Sequence, residues 1–410
     1  MKFRKIAVIL VSAIALCGCS KGDVKTDPSQ LPSDTPYCRN IMETESGYYY
    51  NVTQTLSLRY TEKATGNDIF LCAKPECMHD GNEACTATYN NLIVTKPVLY
   101  NGYIYLLGKF KTKETTGYSL YKAATDGSSL DKITDVVEER IPPQYEECLC
   151  EHSRLIIHKG YAYVSYNIGT SYLDFVQSGF EKVDIQTGKT ETIFKHDDYS
   201  KSLSYHLLAG YGDYFYYCDQ NFSFSPESST NICRYNIKTG ESEKIVLDDE
   251  NIMTFSCVND ENIYFRYFNR EKEAVMLKGY NVETFEPDDN EINTGERLIS
   301  SDVLFYDNKF IFRGDKEIRI LSNEGELLRT FSDELIENSA RSIESIFDIS
   351  NGRIFMSAGD STEEKEVFCC KIDDILNGKA EWEKAYTINH WSEYWDEEPI
   401  INAFQTEEGE

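Results

Sequence analysis

The chain has 410 residues, 69 acidic and 41 basic side chains, and a formal net charge of −28. Such an acidic surface repels phosphate backbones, which argues against nucleic-acid binding, and it is a poor partner for an anionic membrane surface. Tyrosine (29) and phenylalanine (21) are abundant, as expected of a chain built mainly from strands.

Residues 1–18 carry the parts of an export signal. Lys2, Arg4 and Lys5 make a positive start, and Ile6 to Leu16 form an apolar run broken only by Ser12. That run is too short to cross a bilayer, which needs about 20 apolar residues. Leu16-Cys17-Gly18-Cys19 follows and resembles the lipobox of bacterial lipoproteins. The resemblance implies a diacylglyceryl thioether on Cys19 and anchorage at the extracytoplasmic face of the cell membrane. A single acyl chain holds a protein only marginally, so lasting attachment takes two. Residues 19–36 then read as the lipidated cysteine and a polar tether with three prolines and no apolar periodicity. From Ser20 onward the tether reaches roughly 55 Å when extended and about 23 Å as a coil.

From residue 37 to 405 one pattern recurs: an apolar strand, a tight turn, then a strand opening with alternating aromatic residues. It is seen in SGYYY (46–50), NGYIY (101–105), KGYAY (159–163), GDYFY (212–216), DENIY (260–264), DNKFI (307–311) and NGRIF (351–355). The aligned positions Tyr50, Tyr105, Tyr163, Tyr216, Tyr264, Ile311 and Phe355 are 55, 58, 53, 48, 47 and 44 residues apart. Asn101-Gly102 and Asn351-Gly352 are the dipeptide that favours a type I′ hairpin turn, because both central residues need positive φ. Second hairpins are expected at 120–134, 182–194, 233–246 and 318–331, each with a central glycine. Two hairpins make a four-stranded antiparallel sheet, and such sheets bury both faces when stacked around an axis. The prediction is an all-β fold, a β-propeller of seven four-stranded blades. Residues 380–405 are expected to complete the terminal blade together with an N-terminal strand around Tyr37 to Met42. Residues 406–410 are an acidic tail.

These repeats resemble those of TolB/YWTD-like propellers, and of propeller lipoproteins of low-GC Gram-positive bacteria. The resemblance implies the fold, an extracytoplasmic location and no particular activity. The YWTD tetrapeptide and the SxDxGxTW box of sialidases are both absent.

Of the thirteen cysteines, eleven remain beyond Cys17 and Cys19. Cys38, Cys72, Cys77 and Cys85 fall early, with His79 among them, and LCAKPECMHDGNEAC (71–85) takes the place expected for an outer hairpin. Three readings stand. Cys72, Cys77, His79 and Cys85 suit a closed, tetrahedral, structural zinc site. Two disulfides among Cys38, Cys72, Cys77 and Cys85 would staple the first blade in an oxidising compartment. Reduced, buried thiols are the third. Cys148 and Cys150 form a loop pair, Cys218, Cys233 and Cys257 read as buried thiols in strands, and Cys369-Cys370 should point to opposite faces of one strand.

No catalytic constellation emerges. There is no G-x-S-x-G elbow, no HExxH pair and no phosphate loop. His152, His158, His196, His206 and His390 are scattered, and the acidic runs 286–291 and 396–398 read as solvated turns. Trp391, Tyr394 and Trp395 could stack on a sugar or anchor a partner, or pack onto the propeller. The functional expectation is a cell-surface binding or scaffolding propeller for a protein, peptide or glycan, received where the blade-connecting loops converge. The alternative is an extracytoplasmic hydrolase or lyase acting on polysaccharide or peptide.

Overall fold

The computed structural model describes residues 42–388 apart from 53–56, 80–84, 88–96, 113, 141–148, 172–173, 197–202, 222–229, 247–253, 260, 296–301, 314–316, 340–346 and 359–364. Cys19, Cys38, Cys148, Trp391, Tyr394 and Trp395 therefore lie outside the described residues.

Seven four-stranded sheets follow one another along the chain, each made of four consecutive antiparallel strands. They span residues 42–70, 98–140, 149–196, 203–246, 254–293, 302–331 and 347–388, and are called blades 1 to 7 here. The architecture is a seven-bladed β-propeller. Among the described residues two short helices, Glu334–Ser339 and Ile372–Leu376, pack on blades 6 and 7. No helix among the described residues is long and apolar enough to cross a membrane.

The aromatic repeat seen in the sequence marks the first hairpin and second strand of every blade. Asn101 and Gly102 have φ of 49° and 75°, and Asn351 and Gly352 have 46° and 72°, so both pairs take the type I′ form that Asn-Gly favours. Lys159-Gly160 (51° and 79°) and Asp307-Asn308 (47° and 56°) adopt the same backbone with less permissive residues. The second strands are rich in aromatic and branched side chains because they are buried on both faces. Tyr163, Val164 and Tyr166 in blade 3 are all essentially inaccessible. The fourth strands are exposed, as in Leu327–Phe331 of blade 6, where Leu327 is 61% exposed.

This gradient places the core between blades, and each of the seven inter-blade contacts has its own apolar cluster. Blades 2 and 3 share Leu107, Leu120, Leu155 and Val164, and blades 6 and 7 share Ile311, Ile320, Ile354 and Met356. Each fully buried side chain of this size contributes about 1.5–3 kcal/mol, so each blade is held by its neighbours. Cys369 and Cys370, adjacent in Lys365–Lys371, feed the clusters on opposite sides of blade 7, as strand alternation requires.

Two expectations are corrected. Blade 7 takes all four strands from residues 347–388, and Met42–Glu43 pairs within blade 1, so among the described residues no strand is shared across the ends of the ring; residues 37–41 and 389–405 of the expected closure lie outside them. Side chains make the described contacts across the seam. Tyr50 stacks on Tyr386 with ring centroids 4.6 Å apart, and Tyr48 packs on Phe355 and Tyr386. The cysteine-rich segment also does not replace an outer hairpin. Blade 1 has its own outer hairpin ending in Asp68–Phe70, and the segment belongs to the connection that follows.

Candidate functional site

The connection after Phe70 gathers four side chains that are spread over fourteen positions. The ligand atoms of Cys72, Cys77, His79 and Cys85 all lie within 4.8 Å of one another. Cys85 Sγ is 3.6 Å from His79 Nδ1. Local backbone chemistry explains the approach. Pro75 occupies the second position of a turn closed by the Cys77 N–H donating to the Lys74 carbonyl, where its fixed φ is favourable. That turn returns Cys77 to Cys72. His79 has a φ of 56°, and its ring stacks on Phe70 with centroids 4.5 Å apart. The other partner of Phe70 is Arg59, whose guanidinium carbon lies 4.2 Å from the ring centroid and which pairs with Asp68 at 2.6 Å. The imidazole is thus positioned by blade 1 itself.

Each sulfur also receives a backbone N–H from two residues further on. Lys74 donates to Cys72, His79 to Cys77, and Ala87 to Cys85 at 3.4 Å. Burial opposes ionisation of Cys72, but hydrogen bonds from Thr86 and Lys74 outweigh it and bring the thiol down to about 7. The His79 N–H favours the Cys77 thiolate, whereas desolvation and the nearby Cys85 and Cys72 sulfurs push Cys77 above the ordinary thiol range. The three thiols are unbridged. Among the described residues this is the only group of three or more histidine, cysteine or acidic side chains with the spacing of a metal site. Cys38, the fifth residue of the sequence pattern, lies outside the described residues.

A second concave region spans three blades. A groove of about 1430 Å³ is lined by Tyr211 of blade 4, Tyr264 of blade 5, and Phe305 and Tyr306 of blade 6. Six carboxylates (Glu261, Asp288, Asp289, Glu291, Asp307, Glu324) and two ammonium groups (Lys272, Lys278) share its walls. The acidic run 286–291, expected to be a solvated turn, forms much of the outer strand Pro287–Asn293 on this wall. Tyr306 is 40% exposed and is the aromatic face most open to a ligand. Besides the outer strand, the groove is built mainly from first and third hairpin turns, such as 258–259 with 261–262, 306–308 and 323–324. It therefore lies on the rim opposite the one where the blade connections arise. Sequence reasoning missed it because its parts come from turns up to about a hundred residues apart, none with a local motif.

The remaining candidates have structural explanations. His158 is fully buried, with Nε2 2.8 Å from the Gly212 carbonyl, and burial lowers its pKa to about 4. Burial raises Cys233 to about 12 and Cys218 to about 11, as for inert core thiols. Cys257 is raised further by complete burial.

No family model matches the chain, and no curated protein matches it. Solved structures do match in shape. One is a prolyl endopeptidase, from work on inter-domain dynamics in the catalysis and specificity of two such enzymes. It superposes with a TM-score of 0.53 at 11% identity, over 88% of this chain and 51% of that one. Prolyl oligopeptidase B from Galerina marginata, bound to a 35mer hydrolysis and macrocyclization substrate, gives 0.55 at 8% identity, over 87% and 52%. The chain spans about half the length of these peptidases. At such identities the likeness concerns the fold alone: the chain is a seven-bladed β-propeller related in architecture to the propeller domains of prolyl oligopeptidase-type enzymes.

Proposed function

We propose that the protein is an extracytoplasmic binding propeller, tethered through lipid on Cys19, that holds a glycan in the groove across blades 4 to 6. Within the propellers it is assigned to the TolB/YWTD-like lipoproteins of low-GC Gram-positive bacteria. The export-signal pattern of residues 1–19 supports the address, and the groove supports the binding role. One observation carries the ligand class: exposed Tyr306 stands beside six carboxylates on a frame of hydrogen-bonded hairpins. Aromatic faces stack on sugar rings, and carboxylates accept sugar hydroxyls in charge-assisted hydrogen bonds. Turns on a rigid sheet scaffold lower the ordering cost of such groups at binding.

The test is calorimetric titration of the purified protein with soluble cell-wall oligosaccharides and, separately, with oligolysine. The reading expects saturable oligosaccharide binding that weakens at least tenfold in Tyr306→Ala. Binding of oligolysine alone would make the groove a site for basic peptides. Cleavage of the oligosaccharide during the titration would replace binding with hydrolase or lyase activity.

A further inference from the structure

The cysteine and histidine side chains of the blade 1 connection touch blade 2 through a contact that nothing in the groove requires. Gly127 sits in the third hairpin turn of blade 2, between Thr115–Ala124 and Leu130–Arg140, with a φ of 71°. Its carbonyl accepts the Ala73 N–H at 3.0 Å and the Thr86 hydroxyl at 2.9 Å. A Cβ on Gly127 would come within 2.8 Å of the Cys72 nitrogen, so the turn lies directly against the cysteine loop. Thr86 joins the two, since its backbone N–H also reaches the Cys72 sulfur. Tyr49 adds a third link, its hydroxyl donating to the Thr125 carbonyl at 3.0 Å.

We propose that Cys72, Cys77, His79 and Cys85 bind one Zn²⁺, and that the metal-bound loop is the latch that fixes blade 1 onto the Gly127 turn of blade 2. Three observations carry this. First, the spacing fits a single ion. Zinc–sulfur and zinc–nitrogen bonds of about 2.3 and 2.0 Å place tetrahedral ligands about 3.6–3.8 Å apart. The observed Sγ to Nδ1 distance of 3.6 Å meets that value, and the 4.8 Å limit leaves only a small closure for the rest. Second, the donor set suits Zn²⁺. Three thiolates and one imidazole make a soft, four-coordinate shell with no position left for water, which makes the site structural and not hydrolytic. Third, the supporting shell is in place. A backbone N–H directed at every sulfur offsets the charge of a thiolate cluster, and stacking on Phe70 fixes the imidazole. The latch follows from geometry, because Thr86 and Ala73 belong to the same loop and both bind Gly127.

The protein purified without chelator is weighed by native mass spectrometry. It is then stripped of metal under reducing conditions and titrated with Co²⁺. The expected results are one zinc per chain, and on Co²⁺ addition the intense visible bands of a tetrahedral site with thiolate charge transfer. Cys77→Ser should abolish the bound metal. Thr86→Val, which keeps every ligand but takes the hydroxyl away from both the Gly127 carbonyl and the Cys72 sulfur, should weaken metal affinity about tenfold or more, and Gly127→Ala, which leaves the Thr86 hydroxyl in place, should weaken it as well. The Co²⁺ spectrum is read on the unsubstituted chain, so a variant that fails to fold does not obscure the answer. A metal-free chain with a disulfide among Cys72, Cys77 and Cys85 overturns the proposal. So does metal retained in both Cys77→Ser and His79→Ala. Unchanged affinity in a folded Thr86→Val overturns the latch.

Discussion

The guanidinium of Arg353 in blade 7 is ion-paired with the carboxylate of Glu43 in the innermost strand of blade 1, across 310 residues of sequence. The Glu43 side chain is 1% exposed and also meets Lys63 Nζ at 2.7 Å and Asn351 Nδ2 at 3.1 Å. Burial would raise its pKa, but hydrogen bonds from Lys63 and Ser350 and the charge of Arg353 hold it below the usual carboxylate range. No strand is shared across the seam among the described residues, and this pair and the stack of Tyr50 on Tyr386 join its two sides.

Arg353→Ala leaves the buried Glu43 with Lys63 as its remaining cation, so the loss is that of one charge-assisted contact, about 2 kcal/mol, read as a lower denaturant midpoint. The effect should be coupled to Glu43→Gln, so that the double variant loses less than the two single losses combined. Additive losses would mean that the seam is held by the aromatic residues alone.

The turn glycines separate two kinds of cost. Gly102 has positive φ and open space where a Cβ would go, so Gly102→Ala should cost only the backbone term of about 1 kcal/mol. Gly127 has positive φ and a Cβ position only 2.8 Å from Cys72 backbone, so Gly127→Ala must also displace the cysteine loop. Its loss on chemical denaturation should exceed that of Gly102→Ala by at least about 1 kcal/mol.

Glu181 in blade 3 is 4% exposed, and burial raises its pKa from 4.5 to about 7 against the opposing pull of Thr192 and Lys195. A carboxyl raised on folding binds its proton more tightly in the native state. The contribution of Glu181 to stability is then greatest below pH 4.5 and is lost as pH rises through 7, by about 3 kcal/mol in total. Glu181→Gln should recover most of that at pH 8 and less than about 0.5 kcal/mol at pH 4.5, measured by denaturant unfolding at both values. An equal gain at both would assign the effect to packing.

His158 acts in the opposite sense. Its pKa of about 4 means that the buried ring is neutral in the native state and must charge on unfolding in mild acid. Its contribution is complete above pH 6.5 and is lost as pH falls towards 4. His158→Gln should flatten the acid limb of a stability–pH curve between those values. It should also lose the hydrogen bond to Gly212, a cost of about 1 kcal/mol at neutral pH.

The propeller was legible in the sequence because its period is physical. Tyr105, Tyr163 and Tyr216 recur at one place because a second strand buried on both faces needs large apolar side chains just after a tight turn. Asn101-Gly102 reveals its turn because few other dipeptides tolerate two positive φ angles. The partnership of Cys72, Cys77, His79 and Cys85 was visible as spacing, and the reading of Cys218, Cys233 and Cys257 as strand residues matches their positions. What could not be read is long-range. Nothing local to Glu43 announces Arg353, nothing near Asp126-Gly127 announces Thr86, and Tyr306 becomes part of a groove only when three blades stand side by side.

The dependence of blade 1 on its latch to blade 2 is read by hydrogen–deuterium exchange of the full protein with and without chelator. Removing the metal should speed exchange in residues 57–72 and in the turn around Gly127, and leave blades 4 to 6 unchanged. Exchange that is unaltered at Gly127, or that rises equally in every blade, would contradict it.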